Sequence, residues 1–234
     1  MVDLISLGHG SSWKKTLSPL RAGRDPTIRS FSPAWAELCA VQVAECLDRA
    51  ASFEECRKFC DKWLERLPES TLLKRIRAEA MTDYFIGKEK DGVRLVPREA
   101  LAFFTAVVAD PDRRKATDFI YLSRIKEWMG EVKEAFALLD EADKLAPNEW
   151  ETPYCRALNY WRLQEFESAL TWARNACARG PWNPKSYRAL STIYKSQGKE
   201  REAQEFERKA DAVRAERGEL KKSALSGLNR TLPH

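Results

Sequence analysis

From about Pro33 to about Arg217 the apolar positions recur three and four residues apart, the spacing that lays them on one face of a helix. Alternating apolar and polar runs bounded by turn residues are absent, so the pattern predicts helices and no strands. The pattern also repeats itself. Ala135, Ala169 and Ala203 stand 34 residues apart, as do Ala142, Ala176 and Ala210, and Ser123, Ala157 and Ser191. Gly130, Gln164 and Gly198 keep the same offset, and so do Pro147, Pro181 and Ala215. Two antiparallel helices of about 12–14 residues with two short turns use up about 34 residues. Where such helices cross, a large side chain would force them apart, which accounts for Ser or Ala on the first helix and Ala on the second. Gly in the hairpin turn supplies a left-handed cap, and Pro after the second helix stops it.

This arrangement resembles the tetratricopeptide repeat, whose signature sets small residues at fixed places in each unit and Pro near its end. The resemblance is clear in 116–149, 150–183 and 184–217. It is looser in 37–70, where Ala44, Cys56, Cys60, Trp63 and Pro68 fall in register, and in 71–115. Trp63 occupies a normally small place, so that hairpin is expected to pack differently or to open wider. Segment 71–115 reads as a hairpin stretched by roughly ten residues, with helices at about Leu72–Ile86 and Arg98–Ala109 joined by residues 87–97. A large apolar residue usual in the first helix is Phe119, Pro153 and Tyr187 in the three clear units. Pro153 is expected in the first turn of its helix, behind Thr152 as cap. The expected fold is thus an all-α solenoid of about five helix hairpins over 33–217. Residues 218–234 are read as a short polar capping helix from Gly218 to about Leu228 and a tail. Residues 1–32, rich in Ser, Gly, Pro and Arg without period, are read as a disordered basic segment.

Charge sharpens this picture. Residues 1–32 hold five basic and two acidic side chains, and 208–234 hold seven and three, within a net charge of +5. The body between them is therefore slightly acidic. It lacks the continuous basic track that phosphate backbones need, which weighs against RNA as partner. No apolar run of about 18 residues predicts a membrane span. The two histidines, His9 and His234, lie at the extremes, and no phosphate loop, metal-ligand histidine cluster or Ser/His/Asp arrangement can be assembled. No catalytic role, cofactor or metal is expected. Cys39, Cys46, Cys56 and Cys60 share one hairpin; buried thiols are the leading reading, with a disulfide between Cys46 and Cys56 or a zinc site as alternatives. Without a signal peptide the chain is expected to be cytoplasmic, the alternative being organellar import through residues 1–32, where Arg29-Ser30-Phe31-Ser32 resembles a processing site.

The resemblance implies a concave groove lined by the first helix of each unit. The groove residues are Thr117, Ile120, Tyr121, Arg124, Glu127 and Trp128, then Glu151, Tyr154, Cys155, Leu158, Trp161 and Arg162, then Lys185, Arg188, Ala189, Thr192, Lys195 and Ser196. The candidate partner-binding set is Arg124, Trp128, Tyr154, Trp161, Arg162, Lys185, Arg188 and Lys195. Aromatic faces beside guanidinium and ammonium groups suit a peptide or helix with apolar anchors and acidic side chains. The same aromatics read equally as packing residues. The clamp with which some such proteins hold a chaperone's C-terminal tail needs Lys, Asn, Asn, Lys and Arg at set places. Here those places hold Val41, Glu45, Ile76, Thr117 and Tyr121, or in later frames Arg75, Glu79, Tyr121, Glu151 and Cys155, or Ile120, Arg124, Cys155, Lys185 and Ala189, and none matches. The expected function is a protein-interaction scaffold or adaptor. A helical-repeat RNA binder and a constitutive subunit of a larger complex stand as alternatives.

Overall fold

The computed structural model describes residues 33–49 and 52–231, with side chains to Glu216 except Pro33, Trp35, Cys39, Cys46 and Arg49. The expectations placed on residues 1–32, and on the side chains of Cys39 and Cys46, lie outside these. The chain divides into two compact units, the boundary falling between Ala109 and Asp110.

In the first unit α1 (Pro33–Arg49) and α2 (Phe53–Leu64) form one hairpin, and α3 (Thr71–Phe85) and α4 (Arg98–Val108) the next. Ser70 caps α3, its Oγ accepting a hydrogen bond from the Leu73 amide at 3.2 Å. Ala40, Val43, Ala44, Leu47, Cys56, Cys60, Trp63, Leu73 and Ile76 make one buried core. Trp63 is packed into it, 6.2 Å from Phe59 and beneath the Arg66 guanidinium. The Cys56 thiol donates to the Ala44 carbonyl at 3.4 Å. The Cys60 thiol beside it and burial push the Cys56 thiol up, which favours its protonated form.

The stretch between α3 and α4 departs from the all-helical expectation. Residues Glu89–Lys90 (β1) and Val93–Arg94 (β2) pair antiparallel, Glu89 opposite Arg94. Asp91 and Gly92 turn the chain with φ of 55° and 75°, the left-handed pair that a two-residue hairpin turn demands.

The second unit holds three hairpins: α5 (Ala116–Trp128) with α6 (Val132–Leu145), α7 (Glu151–Arg162) with α8 (Phe166–Arg179), and α9 (Pro184–Ser196) with α10 (Glu200–Thr231). Each begins differently. Asp118 Oδ2 accepts from the Lys115 amide at 2.8 Å. Asn183 Oδ1 accepts from the Lys185 amide at 2.9 Å ahead of Pro184 at the first helical place. For α7 the cap is Trp150, not Thr152; Thr152 lies inside the first turn, fully buried, with its hydroxyl unpartnered. The crossing residues Ala135, Ala142, Ala157, Ala169, Ala176, Ala203 and Ala210 are all buried, as the close approach of paired helices requires. The hairpin turns take a left-handed residue at one register, Gly130, Gln164 and Gly198, with φ of 88°, 63° and 73°. Gln164 bears the strain that glycine relieves in the other two.

The stretch read as a capping helix from Gly218 to about Leu228 continues the last helix of the third hairpin: α10 runs unbroken through Gly218 to Thr231, 32 residues long. Nothing in the stretch stops a helix, since one glycine costs only about 1 kcal/mol and no proline intervenes. At about 1.5 Å per residue α10 overhangs its partner α9, which has 13 residues.

Candidate functional site

In the second unit the first helices α5, α7 and α9 lie in succession and touch through one repeated register. Arg162 near the end of α7 pairs with the buried Glu127 of α5. One hairpin later, Trp161 Nε1 donates to Ser196 Oγ at 2.8 Å. Both links span 35 residues, so each joins one place near the end of a first helix to the following place in the next.

The eight residues singled out from the sequence divide between this surface and the packing beneath it. Arg124 is half-buried on α5, its guanidinium 5.1 Å from the Tyr121 ring, and Trp128 ends the same helix half-buried. Arg162 and Lys185 are exposed. Burial raises the Cys155 thiol to about 12, and the charges of Arg124, Glu151, Arg162 and Lys185 all reach it. Tyr154 and Trp161, by contrast, are packed with Leu158 and Phe166 into the apolar cluster that holds α9. Burial likewise raises the Tyr154 phenol to about 12. Arg188 faces α10 rather than the neighbouring first helices, its Nε 3.6 Å from Glu207 and its Nη2 3.7 Å from Asp211. Lys195 is exposed on α9 at the edge of a depression shared with α10. Of the other groove positions, Ile120, Glu127, Cys155 and Ala189 are buried.

A second polar arrangement escaped the sequence reading. On α7 the places that hold Leu122 and Ile125 in one neighbouring unit, and Leu190 and Ile193 in the other, hold Arg156 and Asn159, both buried. Arg156 lies 4.8 Å from the Trp172 ring and pairs with Asp140 of α6 at 2.6 Å. Arg179 of α8 pairs with Asp143 of α6 at 2.6 Å. Arg156 Nε and Asn159 Nδ2 have no partner. Comparing each unit with its neighbours at the 34-residue offset was the signal that could have found them. Among the described residues no group of three or more His, Cys, Asp and Glu side chains is placed to hold a metal, and no helix is long and apolar enough to cross a membrane.

The hairpins with their buried small residues at the 34-residue register define a helical-repeat protein. Its fold is that of the tetratricopeptide repeat. The structure of TTC0263, a thermophilic protein of this repeat class from Thermus thermophilus, superposes with a TM-score of 0.64 at 19% identity, over 82% of this chain and 99% of that one. MamA from Desulfovibrio magneticus gives a TM-score of 0.48 at 15% identity, over 77% of this chain and 96% of that one. No protein-family model and no curated protein matches the chain.

Proposed function

We propose that the protein is a non-enzymatic interaction scaffold that holds an acidic peptide or helix with apolar anchors along the first helices of its second unit. The observation that carries this reading is the convergence of Arg124, Arg162 and Lys185, from three successive first helices, around Cys155 on α7. A carboxylate-bearing segment laid across α5, α7 and α9 meets Lys185 and Arg124 on either side of the Arg162–Glu127 pair, and Trp128 offers an aromatic face on α5. Lys185 is the most accessible of these charges, exposed and without an ion pair among the described residues. Tyr154 and Trp161 support the surface from below by fixing α7 against α9.

Affinity purification with quantitative mass spectrometry tests the reading. The double variant Trp128→Ala, Lys185→Glu should recover the native partner about tenfold less well than the wild-type chain while keeping its helical circular dichroism. Equal recovery by the two chains would refute the groove as the binding surface.

A further inference from the structure

The two units carry opposite charge along their first helices. The place that holds Arg124 on α5 holds Glu79 on α3 and Glu45 on α1. The place that holds Arg162 on α7 holds Asp83 on α3, and Asp48 follows Glu45 by one turn on α1. At the other end of the same register stand Leu38 on α1 and Leu72 on α3, 34 residues apart. A spacing of seven residues puts Leu38 with Glu45, and Leu72 with Glu79, on one side of their helices. The two leucines are 47% and 44% exposed, while the other large apolar side chains described on the helices of this unit are buried or half-buried. Helices α1 and α3 pack together through Val43, Leu47, Leu73 and Ile76 of one core. Their common face is therefore apolar at one end and acidic at the other. Two cations share its register, the buried Arg75 and Arg49 at the last place of α1, against the four carboxylates.

We infer that this face is a docking site for residues 1–32 of the same chain, with Leu17 and Leu20 set against Leu38 and Leu72 and the flanking cations against the carboxylates. The segment holds five basic and two acidic side chains, the opposite sign to the face. Lys14 and Lys15 precede Leu17, and Arg21 and Arg24 follow Leu20, so an apolar pair stands between two basic pairs. Ser32 leads directly into α1, the helix that carries Leu38. The stretch from Arg21 to Ser32 reaches up to about 40 Å, more than the width of two packed helices. A tether this short gives an effective concentration in the millimolar range, at which modest contacts suffice within one chain. A basic segment of another protein has to displace it to use the face. The site differs in sign from the cationic surface of the second unit and does not depend on what that surface holds.

A water-soluble carbodiimide, which joins a lysine amine to a neighbouring carboxylate as an amide, tests this on the full-length chain by peptide mass spectrometry. Lys14 and Lys15 should link to Glu45, Asp48, Glu79 or Asp83 about fivefold more often than to Glu65 and Glu69, which are exposed between α2 and α3. A mixture of isotope-labelled and unlabelled protein should give these links within single chains. Arg21→Glu with Arg24→Glu should lower their yield about threefold, as should Leu38→Ser with Leu72→Ser, each with the circular dichroism of the wild type. Links spread evenly over exposed carboxylates, links chiefly to the second unit, or no links would each overturn the inference. Links between labelled and unlabelled chains would move the segment onto a second copy and overturn the assignment to its own chain. A yield that neither double variant changes would overturn it too, since neither charge nor leucines would then hold the segment.

Discussion

The middle hairpin of the second unit meets its two neighbours through different chemistry. Toward α5 and α6 the seam is tied by Arg162 with Glu127, Arg156 with Asp140 and Arg179 with Asp143, with a ring contact between Phe136 and Tyr160 at 4.8 Å. Toward α9 the seam is an apolar cluster in which Leu158, Trp161, Phe166, Leu170 and Ala173 enclose Ala189, Leu190 and Ile193. An apolar seam gains about 25 cal/mol for each Å² it removes from water and tolerates small shifts of one helix on another. Ion pairs contribute less net stability but demand set distances, so they fix register more than they add strength. One repeat architecture therefore holds a strong joint and an indexed joint side by side.

The largest expected effect breaks the strong joint. Leu190→Ala should lower stability by about 2–5 kcal/mol in urea unfolding, since the side chain is fully buried and its cavity cannot fill. Arg179→Ala at the indexed joint should cost about 1 kcal/mol, and less in high salt. Equal costs would erase the distinction between the seams. Converting the indexed joint should strengthen it: Arg156→Leu with Asn159→Ile restores the residues of the neighbouring units and removes two unpartnered buried donors. A gain of about 1–4 kcal/mol is expected from the shift in urea midpoint, and a loss would mean that the buried guanidinium is worth more than an apolar contact.

The smallest effect separates the seams by pH. Tyr154, within the apolar cluster, and Cys155 beside it both have pKa values raised to about 12 by burial, from ordinary values of 10.0 and 9.0. Folding favours their neutral forms, so this stabilisation is complete below the unfolded values and is lost as pH rises from about 9 toward 12. A decline on the order of 1 kcal/mol per pH unit should appear in urea midpoints measured between about pH 9 and 10. A flat profile over that interval would contradict it.

Much of the fold was readable because the 34-residue offset compares a helix with its own counterparts. Buried Ala135, Ala169 and Ala203 stand where helices must approach closely, a contact that small side chains satisfy. The β1–β2 hairpin was missed because strands of two residues are too short to show alternation, although Asp91-Gly92 is a turn signal in its own right. The continuation of α10 was missed because Gly218 resembles a stop in sequence, while a single glycine is tolerated inside a helix. The site was less legible than the fold. A first helix in a repeat array faces its own partner, the next hairpin and the groove, and periodicity alone does not say which face an aromatic serves. Tyr154 and Trp161 went to the next hairpin, whereas Arg162 and Lys185 stayed exposed.

The small β-hairpin has a practical consequence for engineering the chain. Its strands leave and rejoin the helical scaffold at one point, where the Leu95 amide donates to the Lys88 carbonyl at 2.9 Å. Extra sequence threaded through Asp91-Gly92 therefore begins and ends at nearly the same place, and lengthening such a closed loop costs only about 0.6 kcal/mol for each doubling. With both strands exposed, the tip is a natural port for a fluorophore, an epitope or a whole inserted domain that leaves α3 and α4 where they are.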